Sequence, residues 1–86
     1  MKTEVIVYTT KDCIECTFVK QMLTENNIHY KVRDISADAA YQKEIEALGF
    51  LGVPVTVYGN EAVKGMTPEL QELVNKITEQ KRLRQN

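Results

Sequence analysis

Cys13 and Cys16, the two cysteines of the chain, stand three positions apart in the run Cys13-Ile14-Glu15-Cys16. On a helix that spacing puts both sulfurs on one side, one turn apart. They can then meet within the Cα separation that a disulfide tolerates, with little movement of the backbone. A bridge across so short a loop hardly restricts the unfolded chain, so it makes a poor structural staple. A structural zinc wants about four ligands, and beyond the two cysteines the sequence adds a single histidine, His29. What remains is exchange chemistry. One thiolate attacks a disulfide and is captured as a mixed disulfide, and the second thiol displaces the captured group.

That chemistry depends on how much of the leading thiol is ionised, and so on the elements around it. Val5-Ile6-Val7-Tyr8-Thr9 is a β-branched and aromatic run, short enough to read as a buried strand. After Thr10-Lys11-Asp12, the residues Phe18, Val19, Met22 and Leu23 fall at helical spacing, which predicts a helix from Cys13 to Glu25 ended by Asn26-Asn27. Cys13 therefore opens a helix, where unpaired amides and the positive dipole end stabilise an anion. Lys11 assists, while Asp12 and Glu15 oppose, so the expected depression of the Cys13 pKa is modest. Cys13 is assigned the attack, and Cys16, one turn deeper, the resolving step. The product carries a Cys13–Cys16 bridge that an external electron source must reopen.

The rest of the chain reads as a platform for this junction. Ile28 to Ile35, with Tyr30 and Val32 alternating with Lys31 and Arg33, predicts a second strand. Ser36-Ala37-Asp38 can cap a second helix with Tyr41, Ile45 and Leu48 on one face and Gly49 just beyond its end. Gly52-Val53-Pro54 leads into a third strand, Val55-Thr56-Val57-Tyr58, and Gly59-Asn60 predicts a hairpin into a fourth around Ala62-Val63. Thr67-Pro68-Glu69 has the cap, first-turn proline and early acid of a helix start, and Leu70, Leu73, Val74 and Ile77 supply that helix's inner face. The expected class is α/β, a four-stranded mixed sheet flanked by three helices in the order βαβαββα. All of residues 1–86 form a single domain, with 80–86 a polar C-terminal tail. Lys81, Arg82 and Arg84 suit the negative end of the last helix. Val53-Pro54, before a buried strand, is a candidate cis peptide.

Composition narrows the function further. With 11 basic and 12 acidic residues and a net charge of −1, the chain lacks the basic excess of a nucleic-acid binder. No stretch approaches the ~18 apolar residues of a membrane span. Met1-Lys2-Thr3-Glu4-Val5 runs into an apolar stretch too short for a signal peptide, so the expected compartment is the reducing cytoplasm. His29 reads as a surface residue, Phe50 as a core or loop anchor, and Tyr8 as either core packing or a wall of the target groove.

Tyr8-Thr9-Thr10-Lys11-Asp12-Cys13-Ile14-Glu15-Cys16, Ala47-Leu48-Gly49-Phe50 and Gly52-Val53-Pro54-Val55 together resemble the glutaredoxin-like proteins of the thioredoxin superfamily, most closely their NrdH-redoxin branch. The resemblance runs from about Val5 to Leu73. It implies a thioredoxin-like fold and a dithiol oxidoreductase that donates electrons to protein disulfides, with class Ib ribonucleotide reductase the family's target and thioredoxin reductase its electron source. No cofactor is expected to be bound; the redox group is the Cys13–Cys16 pair, with electrons ultimately from NADPH, and no metal. Lys11, Val53, Pro54, Gly65 and Met66 are the expected partner-binding residues on a monomer, the Val53 backbone pairing with an incoming extended chain. The glutathione site of glutaredoxins looks incomplete. Ile14-Glu15 replaces their Pro-Tyr, Thr10 replaces a lysine, and Lys64-Gly65-Met66-Thr67-Pro68-Glu69 replaces a Gly-Gly-acidic run. A glutathione-dependent glutaredoxin and an iron–sulfur-carrying dimer remain as alternatives.

Overall fold

A computed structural model describes the backbone of residues 4–84 and the side chains of residues 4–80. The expectations for Met1-Lys2-Thr3, for the cationic side chains of Lys81, Arg82 and Arg84, and for residues 85–86 lie outside the described residues. The elements follow in the order β1 (Val5–Thr9), α1 (Ile14–Glu25), β2 (Tyr30–Asp34), α2 (Ala39–Ala47), β3 (Val55–Tyr58), β4 (Glu61–Lys64) and α3 (Pro68–Arg84). This is the thioredoxin-like α/β arrangement expected from the sequence. The backbone of α3 continues into the polar C-terminal stretch as far as Arg84.

The sheet order is β2-β1-β3-β4. β1 pairs in parallel with β2, Val7 opposite Val32, and antiparallel with β3, Tyr8 opposite Val55. β3 and β4 form the antiparallel hairpin across Gly59-Asn60. Because side chains alternate along a strand, β1 serves two cores. Val5 and Val7 join Val19 and Leu23 of α1 and Leu70, Leu73, Val74 and Ile77 of α3. Tyr8 packs on the opposite face with Ile45 of α2 and Val55.

α1 and α2 end in the same way. Asn27, at φ 58°, follows α1, and Ile28 N–H reaches back to Leu23 O at 2.9 Å while Asn27 N–H bonds Thr24 O at 3.0 Å. Gly49, at φ 94°, follows α2, with Phe50 N–H on Ile45 O at 2.9 Å and Gly49 N–H on Glu46 O at 3.0 Å. This double closure needs one left-handed residue, and the next residue usually packs back on the helix. Ile28 and Phe50 do so, one in each core. Phe50 is thus the loop anchor that the sequence suggests.

Three inward positions expected from spacing are corrected. Phe18 and Val32 are each 49% exposed and Leu48 46%. Phe18 lies on the flank of α1 that edges a shallow hollow shared with Met66. Leu48 is the C-cap of α2, already turning off the helix face that Ile45 defines. Val32 lies on an edge strand, with a neighbouring strand on one side only.

Candidate redox site

The site begins where β1 stops. Lys11 and Asp12 make the turn, Asp12 at φ 57°, a left-handed conformation that Asp tolerates better than most residues. Cys13 is then the N-cap of α1, with extended backbone, and its Sγ accepts the Cys16 backbone N–H at 3.1 Å. In most helices Ser, Thr, Asp or Asn fills this role with an oxygen; here a sulfur does. The two cysteines are joined as a disulfide with Cα atoms 5.2 Å apart. Cys16 is 1% exposed, packed under the helix, whereas Cys13 is partly exposed. An incoming group can therefore reach Cys13, and Cys16 can act only from within. An open cleft of about 440 Å³ runs past Cys13, and Thr10, Asp12, Thr17 and Lys20 stand among its walls.

The Val53-Pro54 peptide is cis, as the sequence suggested, and Pro54 is buried. The turn between β4 and α3 ties the two sequence-predicted motifs together. Gly65 N–H donates to Pro54 O at 2.8 Å, and Met66 N–H donates to Glu15 Oε2 at 2.8 Å, a bond between residues 51 apart in sequence. Gly65 is buried at φ 81°, and a Cβ there would stand 2.6 Å from Glu15 Oε2. Glycine is needed both for the left-handed backbone and for the close approach of the carboxylate.

Of the expected site residues, the structure links Cys13 and Cys16 through the helix start, and Pro54, Gly65 and Met66 through this turn. Val53 is partly buried against the α2-side core. Lys11 is exposed in its turn and is not among the walls of the Cys13 cleft. Lys20 is, and the sequence reading missed it. The signal was available, because Cys13, Thr17 and Lys20 fall at helical steps of four and then three. Both lysines also act on Asp34 at the end of β2. Its carboxyl is held below the ordinary value first by the Ser36 hydroxyl, then by the Ser36 N–H, with Lys11 and Lys20 adding to the effect.

Tyr8 packs in the core and does not line the groove. It is 4% exposed, and its hydroxyl donates to Glu44 Oε1 at 2.7 Å and accepts from Arg33 Nη1 at 3.0 Å. Burial, then the bond to Glu44, pushes its pKa up. Arg33 lies over the rings of both Tyr8 and Tyr41. Apolar side chains are also exposed on this side of α1: Ile14 is 72% exposed, and Phe18 and Met66 edge a shallow hollow of about 520 Å³. Among the described residues, no three His, Cys, Asp or Glu side chains converge to hold a metal ion, and no helix is long and apolar enough to cross a membrane.

Comparison with known proteins bears on this geometry directly. The family model described as Glutaredoxin matches residues 5–63, which include both cysteines and Val53-Pro54. The glutaredoxin-like protein NrdH of Lactococcus lactis subsp. cremoris is 30% identical over 70 residues, covering 80% of this chain and 97% of that protein. The NrdH-redoxin of Escherichia coli superposes with a TM-score of 0.74 at 20% identity, over 85% of this chain and 92% of that one. The thioredoxin-like protein BC3987 does so with a TM-score of 0.74 at 30% identity, over 83% and 99%. The strand-to-helix dithiol and the cis-proline loop thus sit within a matched sequence pattern and a shared fold, and this chain belongs to the glutaredoxin family of the thioredoxin superfamily, closely matching its NrdH members.

Proposed function

We propose that the protein is a dithiol oxidoreductase that reduces disulfides in protein targets and is itself recharged by a thioredoxin-reductase-type flavoenzyme using NADPH. The observation that carries this reading is the Cys13 sulfur, partly exposed and capping α1 on the Cys16 amide, with the second sulfur buried one turn behind it. In the reduced protein the Cys13 thiolate would accept that N–H as a charge-assisted bond, stronger than the neutral one. The thiolate attacks one sulfur of the target disulfide, forming a mixed disulfide and releasing the other sulfur as a thiolate. Cys16 gives up its proton and attacks the Cys13 sulfur, and the second target thiolate leaves. Two electrons and, after protonation, two protons have passed to the target, and the Cys13–Cys16 bond has formed.

The likeness to NrdH proteins supports class Ib ribonucleotide reductase as the target. The exposed Ile14 between the cysteines, and the exposed Met66 whose amide Glu15 holds, suit a protein partner. The mixed charge and the absence of a membrane-length apolar helix among the described residues are compatible with work in the cytoplasm. The test is coupled turnover. NADPH and thioredoxin reductase should support reduction of a protein disulfide, Cys13→Ser should abolish it, and Cys16→Ser should trap the mixed disulfide. The reduction potential should fall near thioredoxin's, about −270 mV, below the roughly −200 to −230 mV of glutaredoxins. Turnover with glutathione and glutathione reductase, and none with thioredoxin reductase, would replace this reading with that of a glutathione-dependent glutaredoxin.

A further inference from the structure

Glu15 lies inside the redox motif, in the first turn of α1, yet the partner of its carboxylate is outside that helix. It crosses to the turn before α3 and takes the Met66 N–H, and Gly65 leaves space for it where any Cβ would intrude. A free amide at that point, within reach of the motif's Glu15, would be a donor for an incoming carboxylate or main-chain carbonyl. The donor is instead satisfied from within, and a fixed negative charge stands two residues from the attacking cysteine.

We propose that Glu15 is a specificity-determining residue, a resident anion that biases the dithiol against negatively charged disulfides. The inference rests on the oxidoreductase reading above and refines its substrate class towards disulfides whose flanks are neutral or cationic. Glu15 neither gains nor loses electrons. It acts on the approach of the disulfide to Cys13, by charge and by holding the Met66 amide, which could otherwise donate to an anionic substrate. Lys20 lies along α1 in the wall of the cleft, so the bias is directional. Negative charge is disfavoured on the side of the Gly65-Met66 turn.

The test compares pre-reduced wild type and Glu15→Gln on three small disulfides in single turnover: glutathione disulfide, which is anionic, hydroxyethyl disulfide, which is neutral, and cystamine, which is cationic. Gln keeps an oxygen that can accept from Met66 N–H, so the fold and the turn are retained, and protection of the Met66 amide from exchange checks this. The rate on glutathione disulfide relative to the neutral disulfide should rise about two- to fivefold, the size of one exposed charge pair, and that on cystamine should fall by a similar factor. Added salt should shrink both changes. Ratios unchanged in Glu15→Gln, with the Met66 amide still protected, would overturn the proposal while leaving the oxidoreductase reading in place. A wild type inert towards all three disulfides would instead strike that underlying reading.

Discussion

The face of the sheet under α1 and α3 and the face under α2 are held by different means. The first is mainly aliphatic, with Val7, Val19, Leu23 and Leu70 all fully buried in one cluster and the buried Thr56 opposite Val7. The second has a smaller apolar centre, Ile45 and Val55, and is completed by the Tyr8–Glu44–Arg33 bonds, with the Arg33–Glu44 ion pair at 2.7 Å and both side chains at least a third exposed. Exposed ion pairs contribute little, whereas fully buried aliphatic side chains each contribute about 1.5–3 kcal/mol. The difference shows how each motif is supported. The helix that carries both sulfurs rests on the aliphatic face, and the partly buried Val53 packs against the other.

This contrast can be broken experimentally. Leu23→Ala, on the aliphatic face, should cost about 2–5 kcal/mol in chemical denaturation, because the neighbours cannot collapse fully into the space. Gly65→Ala should cost about 1–2 kcal/mol from its left-handed backbone alone. It should also loosen the link between the two motifs, since the new Cβ meets Glu15 Oε2 at 2.6 Å. Faster exchange of the Met66 amide would report that loss. Tyr8→Phe should cost only about 0.5–1.5 kcal/mol, one hydrogen-bonded hydroxyl. A Tyr8→Phe penalty larger than that of Leu23→Ala would overturn the contrast between the faces.

The smallest effects concern pH, and their signs differ. The Tyr8 pKa is raised, by burial and then by its bond to Glu44. The folded state therefore holds that proton more tightly than the unfolded chain. The contribution is complete below the ordinary tyrosine value of about 10 and is lost as pH rises through the raised one. Tyr8→Phe should remove that alkaline loss. The Asp34 pKa is lowered, mainly by the Ser36 hydroxyl and N–H. Its contribution is complete above the ordinary carboxylate value of about 3.9 and disappears as pH falls through the lowered one. Thermal melts of Ser36→Ala against wild type should differ slightly at neutral pH and converge in acid.

Much of this was legible in the chain because it is local. Asn27 and Gly49 end their helices by supplying left-handed residues, Asp38 caps α2 with its own carboxylate, and the cysteine spacing places the sulfurs. Periodicity also gave the inner face of α3, since Leu70, Leu73, Val74 and Ile77 are all buried. What was not legible depends on chain folding. The Glu15 bond to Met66 joins residues whose proximity no spacing announces. Arg33 reads as a solvent-facing strand residue until Tyr8 from β1 and Tyr41 and Glu44 from α2 arrive around it. Leu48 fits the helical stripe by number but falls at the cap, where the stripe no longer points inward.

The central claim is that the start of α1 makes the Cys13 sulfur the more acidic of the two and the one that reacts. Titrating the reduced protein by thiolate absorbance, with Cys16→Ser to isolate the leading thiol, tests it most directly. The expected result is a Cys13 pKa below the free-cysteine value of about 8.5, with the alkylation rate following the same curve. A Cys13 that titrates at or above that value and reacts no faster than a free thiol would contradict the account.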